Sequence, residues 1–258
     1  MKVRRATAWI THWLNAVDEH SIHSPYFFDF YQKVIKASRK GVPDEKIEAL
    51  RKRLLINSFR VEGHDPGAGS RSNREHRTLA DIARVSVSPP RLSLLYRHIL
   101  QYTEAKYVVE LGTSIGLNTL YMASVKGTGV FTFEGSKSLV NVALTHFELF
   151  EQSNVRLIEG NIDQTLPAFL QQTDKIHFVL MDANHRYEPT MRYFRLLTRR
   201  LTEKSVVVID DIHWSEEMEK AWDELRHNEL VYGSIDLYRC GLLFFDPALN
   251  RQHFVIAL

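Results

Sequence analysis

The chain has 258 residues, 44% of them hydrophobic and 25% charged, the proportions of an ordinary globular protein. A net charge of +2 is too near neutral to argue for a nucleic-acid partner, and a single cysteine, Cys240, excludes internal disulfides and any multi-cysteine zinc centre. No apolar run approaches the roughly 20 residues of a membrane span, so no membrane is expected as a partner.

The first hundred residues read as helices. Trp9, Ile10, Trp13, Leu14 and Val17 recur at helical spacing, which predicts an amphipathic helix over 1–17 and not a leader. With the lone cysteine, this points to the cytoplasm. A break at Ser24-Pro25 precedes helices over 26–38 and 44–57. Tyr26, Phe27 and Phe28 suit either a lid over a ligand or the aromatic seam of a helical hairpin. Residues 61–75 are rich in Gly, Ser and charge and predict a loop or flexible segment. Arg71, Arg74 and Arg77 in and beside it suit either an anionic ligand or solvent. A further helical stretch over 76–103 is interrupted at Pro89-Pro90.

From 105 onward strands and helices alternate. Strands are predicted over 106–111, 129–134, 154–159, 175–181 and 204–210, with helices over 116–125, 136–150, 163–171, 187–201 and 215–228. Such alternation gives a parallel sheet with helices on both faces. The apolar runs VVEL, FVLM and VVVI suit strands buried on both sides. The tail loses its helices, and its β-rich runs meet at Asp246-Pro247, which predicts a closing antiparallel hairpin. The expected fold class is α/β: a Rossmann-like, seven-stranded, mostly parallel sheet with an antiparallel C-terminal hairpin over 101–258. A helical extension or cap over 1–100 precedes it.

The most informative stretch is 107–122, YVVELGTSIGLNTLYM, a strand, a glycine turn and a helix start in succession. Such a turn brings backbone near a ligand and aims free helix N–H groups at it. The next strand ends at Glu134, where an acid at a strand tip grips ribose hydroxyls in α/β nucleotide folds. An adenosine-containing cofactor is therefore expected. The dinucleotide pattern Gly-x-Gly-x-x-Gly is not met, because Ser114 stands at its second glycine. In an open parallel sheet ligands sit at the carboxyl ends of the strands. There the sequence places Glu110, Glu134, Gly160-Asn161, Asp182 and Asp210-Asp211. His185 follows Asp182 by three positions, and an imidazole with its ordinary pKa of about 6.5 suits a general base. Three carboxylates, Asp182, Asp210 and Asp211, would make an oxygen-rich site for Mg²⁺, Ca²⁺ or Mn²⁺.

The E-x-G-x-x-x-G turn resembles the first motif of class I S-adenosylmethionine-dependent methyltransferases. The Asp182-x-x-His185 loop and the Asp210-Asp211 pair resemble the metal-binding loops of O-methyltransferases of the catechol and caffeoyl-coenzyme A type. The phrases HSPYFFDFY, DANHRYEPTMRYF, DDIHWSEEM and QHFVI resemble a bacterial methyltransferase family of undefined substrate. The resemblance implies that Glu110, Gly112, Thr113, Ser114 and Gly116 surround the methionine part of S-adenosylmethionine. It puts Glu134 and Gly135 at the ribose, Asn161 and Ile162 at the adenine, and Asp182 near the transferred methyl. His185 and Asp182 are then the catalytic pair, with Asp182, Asp210 and Asp211 as metal ligands; His185 stands where the metal-dependent relatives carry a lysine. The expected reaction is O-methylation of a small molecule, in a chain that could pair as a homodimer. The alternatives are an RNA-modifying methyltransferase and an inactive cofactor-binding partner protein.

Overall fold

The computed structural model describes residues 2–62, 76–85 and 87–258. The N-terminal part runs α1 (Lys2–Asn15), α2 (Pro25–Phe30), a π turn (Tyr31–Ile35), α3 (Lys36–Lys40), α4 (Glu45–Leu54), β1 (Arg60–Glu62), β2 (His76–Thr78), α5 (Leu79–Val85) and α6 (Pro90–Thr103). Then come β3 (Tyr107–Leu111), α7 (Leu117–Ala123), β4 (Gly129–Glu134), α8 (Lys137–Leu149), β5 (Val155–Glu159), α9 (Ile162–Leu170), β6 (Ile176–Met181), α10 (Tyr187–Leu197), β7 (Leu201–Asp210) and α11 (Glu216–Arg226). The chain finishes with β8 (Gly233–Asp236), β9 (Cys240–Phe244) and β10 (Gln252–Val255).

The main sheet has eight strands in the order β10-β8-β9-β7-β6-β3-β4-β5. Only β9 runs against the others, pairing antiparallel with both β7 and β8. The sequence predicts the hairpin turn at Asp246-Pro247 with the last strand antiparallel, and the structure differs on both points. The hairpin turns at residues 237–239, and β10 adds to the far edge parallel to β8. No glycine or proline marks that turn; instead the Asp236 carboxylate accepts the Tyr238 N–H at 2.7 Å while Tyr238 adopts φ +66°. Asp246 caps a short 3₁₀ turn by accepting from the Ala248 N–H. A second difference is the small antiparallel ribbon of β1 and β2 at the edges of the expected loop. Arg71 and Arg74 lie outside the described residues.

Each face of the sheet carries its own apolar layer, as strands buried on both sides require. Val108, Phe178, Leu180, Val208 and Phe244 face α6 and the α2–α3 rod; Val109, Leu111, Val179, Met181 and Val207 face α9, α10 and α11. Phe27, Phe30 and Phe244 meet edge to face at centroid distances of 5.1–5.2 Å. Gly233 leaves room for Phe27, whose ring lies 2.3 Å from where a Cβ would sit. Tyr26, Phe27 and Phe30 thus form a packed seam and not a lid, with Phe28 left exposed, and truncating Phe27 would cost about 3–5 kcal/mol. At the N-terminus, α1 is tied down where buried His12 places Nε2 3.2 Å from Asp236 Oδ1.

Strand order reverses at β3, with β4 on one side and β6 on the other. Ligands bind at such a switch point, beyond the carboxyl ends of the strands.

Candidate active site

A cleft of about 390 Å³ opens there, walled by Gly112, Ser114, Glu134, Gly135, Ser136, Gly160, Asn161, Ile162, Asp182, His185, Asp211 and Arg239 among others. Val61, Arg77, Ile82 and Val85 of the N-terminal part complete it.

The first half is a turn locked to its neighbours. Gly112 and Thr113 both donate their N–H to the Phe133 carbonyl at 3.0 Å. Gly112 has φ +101°, and an added Cβ would fall 2.2 Å from the Asp182 carbonyl oxygen. Glycine is thus required by the adjacent strand end as well as by the left-handed backbone. The Glu134 carboxylate is fixed at both oxygens: Ser114 N–H donates to Oε2 and Ser136 N–H to Oε1, each at 2.8 Å. Ser114 adopts φ +51°, and its buried Oγ has no hydrogen-bond partner among the described residues. An orphaned hydroxyl in a cleft wall fits a polar ligand. Asn161 caps α9, its Oδ1 accepting from the Asp163 N–H at 2.9 Å, beside Ile162.

Three residues expected at the cofactor are not in this wall: Glu110, Thr113 and Gly116. On a strand, alternate residues face opposite sides, so Glu110 points with Val108 into the layer under α7. There its Oε2 accepts the Thr119 and Thr132 hydroxyls at 2.5 and 2.6 Å. The Thr113 hydroxyl joins them 2.6 Å from that of Thr132. Burial pushes the Glu110 carboxyl up to about 7 against the pull of the two threonines. Gly116 starts α7 at φ +79°, where a Cβ would collide with the Phe147 ring at 2.7 Å. All three support the turn from behind.

The second half gathers charge. His185, at φ +31° in the loop after β6, places Nε2 3.4 Å from Asp182 Oδ1. Asp211 and Asp182 reach the cleft wall, whereas Asp210 lies beneath it, 1% exposed. Burial, then the neighbouring Asp210 and Asp211 charges, hold the Asp182 carboxyl well above its ordinary range. Burial and Asp211 push Asp210 up to about 6. The countercharge is Arg239, which sequence reasoning missed: its Nε lies 2.8 Å from Asp211 Oδ1 and 3.8 Å from Asp210 Oδ1. Burial works against the guanidinium, but Asp210, Asp211 and Asp182 outweigh it and hold it charged. Only the crowding of acids at these strand ends hinted that a cation had to arrive.

The expected Mg²⁺, Ca²⁺ or Mn²⁺ site does not fit this arrangement. Among the described residues no three His, Cys, Asp or Glu side chains are placed to hold a metal ion. Arg239 stands against the carboxylates that would supply it. His213 is turned away from the cleft: its Nε2 lies 2.9 Å from Asp236 Oδ2 and its ring stacks on Tyr238. The neighbouring Trp214 reaches the cleft.

Residues 109–212 match the family model of a methyltransferase domain. No curated protein matches the sequence. Among solved structures, the chain is similar to the S-adenosylhomocysteine-bound methyltransferase PaMTH1 of Podospora anserina, at 13% identity and TM-score 0.63, covering 87% of this chain and 99% of that one. An O-methyltransferase from Bacillus cereus in complex with S-adenosylhomocysteine aligns at 14% identity and TM-score 0.58, covering 81% and 94%. The O-methyltransferase TomG of Streptomyces achromogenes, in complex with S-adenosylmethionine, aligns at 17% and 0.53, covering 62% and 81%. The match to a methyltransferase domain covers residues 109–212, and the chain shares the α/β fold of these solved methyltransferases. No described helix is long and apolar enough to cross a membrane.

Proposed function

We propose that this protein is an S-adenosylmethionine-dependent methyltransferase that methylates an oxygen of a small-molecule acceptor. The observation that carries this reading is Glu134, held at its strand tip by the Ser114 and Ser136 N–H groups in one cleft with Asn161 and the Asp182–His185 pair. Pinned from behind, the carboxylate accepts ribose hydroxyls without first being ordered, which lowers the cost of binding. Asn161 and Ile162 take the adenine, and the Ser114 hydroxyl takes a polar group of the amino-acid portion.

S-adenosylmethionine, when bound, supplies a methyl group on an electrophilic sulfonium. The chain itself must align an acceptor oxygen and remove its proton, since an in-line displacement tolerates little misplacement. His185 is suited to the proton transfer, because its Nε2 is turned to Asp182, which leaves Nδ1 to take the acceptor proton. Trp214 and the N-terminal residues Val61, Ile82 and Val85 give the cleft its apolar surface. Residues 1–100 then act as a cap that completes the site. Buried Cys240, the sole cysteine, agrees with a reducing cytoplasmic setting.

Calorimetric titration with S-adenosylhomocysteine, followed by a screen of metabolite extracts for methyl acceptance, tests the reading. One-to-one binding weakened by Glu134→Ala supports it, and methylation of RNA with no small acceptor would redirect it.

A further inference from the structure

We propose that the Arg239 guanidinium is the resident cation of the reaction centre, standing where a divalent metal would have to bind, so that the enzyme works without a metal and accepts a single hydroxyl. This deepens the methyltransferase reading of the same cleft and rests on it for the identity of the reaction.

The argument begins with charge. Asp182 ends one strand loop, Asp210 ends β7 and Asp211 follows it at φ +54°, so three carboxylates converge in a largely buried place. Burying like charges together is costly unless a cation joins them. Arg239 arrives from the β8–β9 turn on the antiparallel side, and that turn is fixed independently of the acids. Asp236 takes the Tyr238 N–H at 2.7 Å, and the Tyr238 ring stacks on His213 at 5.4 Å, 21° from coplanar. Two residues on, Gly241 admits the Trp222 ring, which would lie 2.4 Å from a Cβ. The turn therefore fixes the backbone of Arg239 on the side from which its side chain reaches the acids.

Its Nε stands 2.8 Å from Asp211 Oδ1 and 3.8 Å from Asp210 Oδ1. A bound Mg²⁺ sits about 2.0–2.1 Å from its oxygens in a near-octahedral shell, so the Asp211 oxygen that meets the guanidinium cannot also hold a metal, and a divalent charge would stand against a fixed positive one. Arginine also cannot be neutralised to make room, because its charge persists at any working pH. The consequence is chemical selectivity. A catalytic metal can hold two neighbouring acceptor oxygens and lower the pKa of one. A guanidinium is not a Lewis acid and chelates no oxygen pair, so a vicinal diol gains no metal-type lowering of its pKa from the second hydroxyl. The acceptor needs one hydroxyl, placed against His185.

The test is titration of the protein with MnCl₂, followed by the electron paramagnetic resonance signal of free Mn²⁺. Wild type is expected to bind no stoichiometric Mn²⁺ below about 1 mM. Arg239→Gln and Arg239→Ala uncover the acids and tighten binding at least ~10-fold, the range that ligand charge count commands. Adding Asp211→Asn to either variant removes the gain. Tight one-to-one binding by wild type that Asp211→Asn abolishes would overturn the proposal, and so would affinities unchanged in folded Arg239 variants. The wild-type titration decides even where a variant fails to fold. Turnover is expected to survive EDTA, and its loss would count equally against the proposal. Failure to bind S-adenosylhomocysteine would instead sink the methyltransferase reading and leave the Mn²⁺ result standing.

Discussion

Along β3, β4 and β5 the cleft wall is made of turns whose polar groups are held by backbone: Gly112 against Asp182, Glu134 between two serine N–H groups, Asn161 on its own helix. Along β6, β7 and β9 the wall is made of crowded charges, three aspartates and one arginine, with His185 at their edge. The first half is preorganised by geometry and suits an invariant ligand. The second is preorganised by electrostatics and suits a step that moves a proton. One sheet edge therefore supplies both a rigid mould and a charged reaction surface, and the two should fail in different ways when altered.

The largest effect is expected at their junction. Gly112→Ala forces a Cβ into the Asp182 carbonyl at φ +101°, costing at least ~3 kcal/mol of stability. Thermal melts and S-adenosylhomocysteine titration should show loss in both; a variant that melts and binds like wild type would separate the two walls. Next, His185→Ala should cut turnover by about 10²-fold or more while leaving S-adenosylhomocysteine affinity within a factor of about two. Steady-state kinetics with the acceptor found by the extract screen, beside calorimetry, checks it; unchanged turnover removes His185 from the chemistry. Glu134→Ala should do the reverse, weakening affinity about 30- to 100-fold through loss of charge-assisted hydrogen bonds.

The smallest effect probes the layer behind the turn. Glu110 has its folded pKa raised from the usual 4.5 to about 7. Its contribution to stability is thus complete below about pH 4.5 and is lost as pH rises through 7. Between pH 5 and 7 that loss is about 2 kcal/mol. Glu110→Gln abolishes this dependence, so its melting temperature should gain on wild type as pH rises from 5 to 8. A constant gap would show that Glu110 does not titrate there.

How far the sequence discloses this molecule follows from the range of each signal. Strand tips at Glu134, Asn161 and Asp182 are legible because apolar runs, glycines and helix caps are local patterns. Glu110 reads as a ligand contact because β3 is apolar on both faces, so no polar alternation marks which way an acid points. The turn at 237–239 leaves no familiar sign because an aspartate carboxylate, not Gly or Pro, holds it. Arg239 is illegible for a deeper reason: its partners belong to β7 and its loop, and only antiparallel pairing of β9 with β7 brings them together. The metal expectation falls with it, since a triad of aspartates reads the same whether a metal or a guanidinium answers it.

The central claim is that Glu134 and its backbone clamp form a nucleoside-binding wall. Titration of wild type and Glu134→Ala with S-adenosylhomocysteine measures this most directly. Micromolar one-to-one binding by wild type, weakened about 30-fold or more in the variant, is the expected result. Absence of binding by wild type, or equal affinity in both proteins, would contradict it.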